Sequence, residues 1–282
     1  MTQTTEAPPA LVAAPDGTMI AAFVSGEGRP LVLVPGSSSD HTTWRLVSPL
    51  LTGHVRVHAV DRRGRGASGD RPDYSIDQEY ADVAAVVDAA AAAAGSTVDL
   101  LGHSYGGNVA FGAATLTTNV GRLILYEGWP VPNIAHRTVP PGLLEHLDDL
   151  LAQGRNEDLL ETFFRRVVMM SDGEVDQIRS APTWPARVAA AQTVPRELRA
   201  FAECAFDPAV AARIGVPVLL LVGEASPDAI RADPEIVAAA LPDARIGVLE
   251  GQTHVAHLTA PALVAERILA FLDAGQAPGE QE

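Results

Sequence analysis

The chain has 282 residues, 47 % of them hydrophobic and 20 % charged, with a formal net charge of −15. That length buries a substantial core, the acidic balance repels nucleic acid and anionic membrane, and no apolar run is long enough to span a bilayer. The lone Cys204 excludes an internal disulfide and a repeated Cys/His zinc site, and Met1 to Pro9 shows no secretory pattern, so a cytoplasmic protein is expected.

Leu11 to Ala14 and Met19 to Val24 flank the turn Pro15-Asp16-Gly17 and predict an antiparallel hairpin at a sheet edge. Leu31 to Pro35 and Val55 to Val60 are short runs rich in Val and Leu, the pattern of buried parallel strands, with a helix predicted over Thr42 to Leu51 between them. The one local basic cluster, Arg62-Arg63-Gly64-Arg65, reads as structural. A helix over Asp77 to Ala94, a strand over Thr97 to Leu101, a helix over Asn108 to Thr118 and a strand over Arg122 to Tyr126 continue the alternation. Such alternation requires right-handed crossovers and an α/β fold with a mostly parallel, doubly wound sheet. From Val131 to about Arg213 it stops, and the segments Leu143 to Leu151, Leu159 to Met170, Val175 to Ile178 and Pro195 to Phe206 predict an inserted helical cap. A strand over Val216 to Val222, a helix over Asp233 to Ala240, a strand over Arg245 to Leu249 and a helix over Pro261 to Leu272 then resume the pattern. The expected organisation is a core of 1–130 and 214–274, a cap of 131–213 and a disordered tail of 275–282.

Gly102-His103-Ser104-Tyr105-Gly106-Gly107 follows a strand and precedes a helix. A strand turning sharply into a helix needs glycines beside the turning residue, which makes Ser104 an exposed nucleophile at a helix N-terminus. In open α/β sheets the site lies at the carboxyl ends of the strands, so the loops there should supply its partners. After the last strand, Glu250-Gly251-Gln252-Thr253-His254 offers His254 as the general base, with His257 as its competitor. His103 reads as a packing or hydrogen-bonding residue, and His41, His54, His58, His136 and His146 as surface or cap residues. For the acid, Glu127 ends the strand after the nucleophile helix, with Asp228 and Glu224 as alternatives, because the usual aspartate position is Ala225 or Ser226. The N–H groups of Ser37 and Tyr105 are the candidate oxyanion hole. Gly36, Ser38, Trp129 and Pro130, beside these groups in sequence, are candidate substrate contacts.

From about Pro9 to Leu272 the chain resembles the α/β-hydrolase fold family. The supporting segments are the elbow, the Pro35-Gly36-Ser37 loop, Asp61 to Gly69, and Gly251-Gln252-Thr253-His254. Within it the chain is most similar to zearalenone lactonases and their actinobacterial relatives. The glutamate at 127, Val222 to Pro227, Ile246 to Leu249, Pro182 to Arg187 and Thr193 to Arg196 carry that likeness. The resemblance implies that Trp184 contacts a lactone.

The expected activity is a cofactor-free and metal-free serine hydrolase that opens an ester or lactone with a bulky apolar part, an apolarity suggested by Phe163, Phe164, Met169, Met170 and Trp184. Carboxylesterase, thioesterase and C–C bond hydrolase activities use the same triad and stay open, while a serine nucleophile argues against dehalogenase or epoxide-hydrolase chemistry. A ligand-binding protein or an assembly scaffold on the same fold is the rival class. The expected partner is a small apolar ester or lactone, with no nucleic acid or membrane; homo-oligomerisation stays open.

Overall fold

In the computed structural model, residues 7–132 and 139–274 are described, and the expectations for His136, for the tail from 275 and for most of Met1 to Pro9 lie outside them. Among the described residues the strands are β1 (Ala10–Ala13), β2 (Met19–Ser25), β3 (Arg29–Val34), β4 (Val55–Asp61), β5 (Val98–His103), β6 (Val120–Tyr126), β7 (Val218–Gly223) and β8 (Ala244–Leu249). They form one sheet in the order β1-β2-β4-β3-β5-β6-β7-β8, in which the β1–β2 and β2–β4 pairs are antiparallel and the rest parallel. Every residue of β5 and β7 is buried. Burial on both faces explains why these strands read as continuous apolar runs rather than alternating ones.

The α-helices of the described residues are α1 (Ser48–Leu51), α2 (Ile76–Ala94), α3 (Tyr105–Ala113), and, after β6, α4 (Leu143–Ala152), α5 (Asn156–Arg166), α6 (Asp172–Arg179), α7 (Trp184–Ala189), α8 (Val194–Glu203) and α9 (Pro208–Ala211). After β7 come α10 (Asp228–Arg231) and α11 (Pro234–Ala240), and after β8 come α12 (Ala256–Thr259) and α13 (Pro261–Asp273). Ser75 and Gln78 form a capping box on α2, and Gly95 closes it in the left-handed region. The helix predicted over Thr42 to Leu51 is instead a 3-10 turn, His41–Trp44, followed by the short α1. Pro49 is the reason: it lacks an N–H and its ring would strike the carbonyl four residues back. Helices α4 to α9 stand between β6 and β7 in sequence; α4 to α8 share an apolar cluster that includes Leu147, Leu159, Phe163, Trp184 and Leu198 and takes in Val255 of the loop after β8, while Ala211 of α9 joins the cluster of Val218 and Leu220.

The chain leaves β3 towards β4 on one side, and then crosses to β5 on the other side of β3. The loops after β3 and β5 therefore part at a switch point, where an open α/β sheet forms its crevice. No helix of the described residues is long and apolar enough to cross a membrane.

Candidate active site

Ser104 lies between β5 and α3 with φ 55° and ψ −128°, a conformation that L side chains rarely adopt. Close backbone packing imposes it. A Cβ on Gly102 would lie 2.2 Å from the Gly106 carbonyl oxygen, one on Gly106 2.4 Å from that of Pro35, and one on Gly107 2.2 Å from that of Gly128. A Cβ on Gly128 would lie 1.9 Å from the Ser104 carbonyl oxygen, so this glycine belongs to the elbow although it is remote in sequence. The Ser104 N–H donates to the Tyr126 carbonyl at 2.9 Å, tying the turn to β6.

The loop after β8 carries His254, buried at 8 % exposure. Its Nδ1 lies 2.7 Å from Glu127 Oε2. The other oxygen of Glu127 accepts the Gly223 N–H and the Ser226 hydroxyl, both at 2.6 Å. Ser226, one of the two positions where the commoner aspartate would stand, is thus a hydrogen-bond donor to the glutamate; the sequence reading did not anticipate this. Asp228 is 92 % exposed at its side chain and pairs with Arg231, while Glu224 accepts the Gly251 N–H. Neither has a hydrogen bond to His254 among those of the described residues.

The His254 carbonyl accepts the Tyr126 hydroxyl at 3.0 Å and the His103 Nε2–H at 2.9 Å, which fixes the histidine loop against the sheet. His257 faces Thr43, with its Nε2 3.3 Å from the hydroxyl, and its ring packs 4.5 Å from that of His103. Burial pushes the imidazolium pKa of both His103 and His257 well below the ordinary value, with further depression of the first by its histidine neighbours and of the second by Arg187. Both rings are therefore neutral. His41 is no surface residue: its ring stacks 3.5 Å from Phe23 and its Nδ1 meets Asp61 at 2.7 Å.

Beneath the loop after β3, Arg62 donates to the carbonyls of Pro35 and Gly36 and to both oxygens of Glu79. Glu197, on α8, pairs with Arg62 and Arg65. Burial alone would raise the Glu197 pKa, but the two guanidinium groups hold it at about 2. The basic turn is fully paired, since Arg63 meets Asp82 and Asp16.

Two cavities meet at Ser104. The larger, about 210 Å³, is lined by Ser37, Ser104, Tyr105, Glu127, Trp129 and His254 together with Phe163, Val167, Leu198 and Phe201. The smaller, about 30 Å³, is lined by Gly36, Ser37, Ser104, His254 and His257, and also by Phe164, Met170 and Arg187. Met169 lines the larger cavity. Ser38, Pro130 and Trp184 line neither cavity. Trp184 instead joins the insert's own apolar cluster, which accounts for its 9 % exposure without a ligand. Arg187, three residues beyond it on α7, was missed because a single arginine in a short apolar segment carries no sequence signal.

Asp40, His41 and Asp61 bring ligand atoms within 4.8 Å of one another. Their oxygens are engaged in the loop, Asp40 Oδ1 by the Thr42 N–H and Asp61 by the N–H groups of His41 and Ala67. They act as hydrogen-bonded anchors for that loop.

The comparisons agree with this architecture. Residues 31–267 match the Alpha/beta hydrolase family. An alpha/beta hydrolase from Sphaerobacter thermophilus is 35 % identical, with a TM-score of 0.81 over 93 % of this chain and 100 % of that one. N-formylmaleamate deformylase of Pseudomonas putida is 36 % identical over 128 residues, 44 % of this chain and 46 % of that protein. A pimeloyl-[acyl-carrier protein] methyl ester esterase of Aliivibrio fischeri is 35 % identical over 106 residues, 37 % of this chain and 38 % of that protein. The matches thus span less than half the length of these two curated relatives.

Proposed function

The chain belongs to the alpha/beta hydrolase family, and on that premise we propose that it is a serine hydrolase of carboxylic esters, with residues 131–213 acting as a cap over the site. The observation that carries the reading is the 2.7 Å contact of Glu127 with His254 Nδ1, beside a cavity that both share with Ser104. A carboxylate accepting from Nδ1–H leaves the lone pair of His254 on Nε2, the nitrogen required of a general base. Ser104 Oγ then attacks the ester carbonyl as its proton passes to Nε2, and the N–H groups of Ser37 and Tyr105 stabilise the oxyanion. Collapse expels the alcohol, protonated by His254, and water repeats the sequence to release the acid and restore the serine.

The apolar walls of the larger cavity fit an ester or lactone with a bulky apolar part, and the resemblance in the Glu127 and Trp184 segments points to a macrolactone such as zearalenone. Activities on esters and on N-formylmaleamate among the relatives support acyl hydrolysis at this site. The test is mass spectrometry of a benzyl and phenyl ester series and of zearalenone, incubated with wild type and with Ser104→Ala. The free acid and alcohol of a cleaved ester, and zearalenone heavier by one water or its decarboxylated descendant, are expected only with the wild type. Cleavage of simple esters with zearalenone unchanged removes the lactone assignment; equal cleavage by Ser104→Ala removes the serine mechanism.

A further inference from the structure

Arg187 is the exception among the buried arginines. Arg62, Arg63 and Arg65 each face a carboxylate, as buried cations must if they are to offset lost hydration. Arg187, at 6 % exposure, has no ion pair among the described residues. Its Nη1 donates to the Ser39 hydroxyl at 2.6 Å and its Nη2 to the Thr43 hydroxyl at 3.2 Å, leaving three of the five guanidinium N–H donors for another acceptor.

The other surroundings do not supply the missing charge. Phe164 offers a ring face 6.0 Å from the guanidinium carbon. His103 and His257 are neutral, Arg45 adds like charge, and the attraction of Asp40 does not prevent burial from pulling the Arg187 pKa down to about 10. The cation is thus held in an environment that disfavours it, on the wall of the smaller cavity, which Ser104 also lines. At about 30 Å³ that cavity has about twice the room that one water needs, enough for a carboxylate and too little for a bulky group.

We propose that Arg187 binds a carboxylate carried by the ester substrate, a short acidic arm that enters the smaller cavity while the bulky apolar part fills the larger one. This rests on the serine-hydrolase reading and narrows it to acidic esters, since a neutral macrolactone leaves the guanidinium without a counter-charge. The planar fork of arginine suits two parallel bonds to a carboxylate, which a lysine ammonium does not reproduce.

The test uses two ester pairs that differ by a carboxylate against a methyl group. They are monobenzyl succinate with benzyl butyrate, and carboxymethyl 3-phenylpropanoate with ethyl 3-phenylpropanoate, which place the acid on the acyl and the alcohol side. The wild type should favour the acidic member of at least one pair by about tenfold or more in kcat/KM. In Arg187→Met that acid-to-neutral ratio should fall about tenfold, with Arg187→Lys between the two. A ratio is independent of the fraction of protein that folds, so misfolding of a variant does not imitate the result. Equal or inverted preference in both wild-type pairs, or a ratio unchanged in Arg187→Met, overturns the proposal. Binding separates the two readings. With Ser104→Ala, the acidic member of a pair should raise the melting temperature by ~2 °C or more beyond its neutral partner. If that shift persists while the wild type cleaves none of the esters, only the hydrolase reading falls; if the shift is missing for both pairs, the carboxylate site falls.

Discussion

Glu127 divides its work between two oxygens. Oε1 takes the Gly223 N–H and the Ser226 hydroxyl, so Oε2 is presented to His254 in one orientation. Replacing Glu127 by Gln keeps the shape but removes the charge that favours the imidazolium, and kcat on a cleaved ester should fall by about 10³ to 10⁴ with little change in KM. Ser226→Ala removes one of the two neutral donors to Oε1, and a loss of about 1 kcal/mol predicts a rate roughly fivefold lower. Asp228→Ala should leave the rate within about twofold, because surface substitutions away from a site have small effects. Steady-state kinetics on the four proteins decides the matter: if Asp228→Ala shows the large loss and Glu127→Gln does not, the acid assignment is wrong. Glu127 was legible as a candidate because a carboxylate at the end of the strand after the nucleophile helix must emerge near that serine. Ser226 was not, because its role exists only once residues 99 apart in sequence meet. Arg187 was equally illegible: its meaning lies in the missing carboxylate, which no sequence records.

At the scale of elements, the elbow depends on backbones that approach more closely than any side chain permits. Gly106→Ala and Gly128→Ala would drive a Cβ against the carbonyls of Pro35 and Ser104, rigid atoms of β3's exit and of the turn itself. Each should destabilise by about 3 kcal/mol or more, the upper end of overpacking. Gly142, with φ +72° but open space around its Cβ position, is the control: alanine there should cost only about 1 kcal/mol. Urea denaturation of the three variants measures the difference, and equal losses would show that conformation rather than contact dominates. Gly102, Gly106 and Gly107 were visible as a motif; Gly128 was not, because its partner is Ser104, at the end of the neighbouring strand β5. The central strands β3, β5 and β7 were readable since burial on both faces leaves one compositional signature. The helices α7, α9, α10 and α12, of four to six residues, were not, being too short for an amphipathic period to repeat.

Across the whole molecule, one carboxylate ties the helical insert to the sheet. Glu197 of α8 meets Arg62 and Arg65, residues 135 and 132 positions earlier, and the same Arg62 holds the carbonyls of Pro35 and Gly36. Tyr74 extends the network, donating to Glu79 and meeting the Tyr105 hydroxyl at 2.8 Å. The basic turn was readable as structural, but its counter-charge in the insert was not, since only the folded chain brings them together. Glu197→Gln leaves two buried guanidinium groups short of a negative charge, and at pH 7 it should lower the unfolding free energy by about 3 kcal/mol. The pH dependence identifies the cause. The Glu197 carboxyl lies near 4.5 in its ordinary state and at about 2 in the fold, so its contribution is complete above 4.5 and disappears as the pH falls towards 2. The gap between wild type and Glu197→Gln should therefore be constant around neutrality and narrow from about pH 4.5 downward. Asp82, raised by burial to about 6, titrates in the opposite sense, losing stability as the pH rises towards that value, but it does so in both proteins and cancels in the comparison. Chemical denaturation of the pair from pH 7 to pH 3 makes the measurement. A gap of the same size at both ends would mean that Glu197 acts through shape and hydrogen bonding, and that the insert is not held to the basic turn by charge.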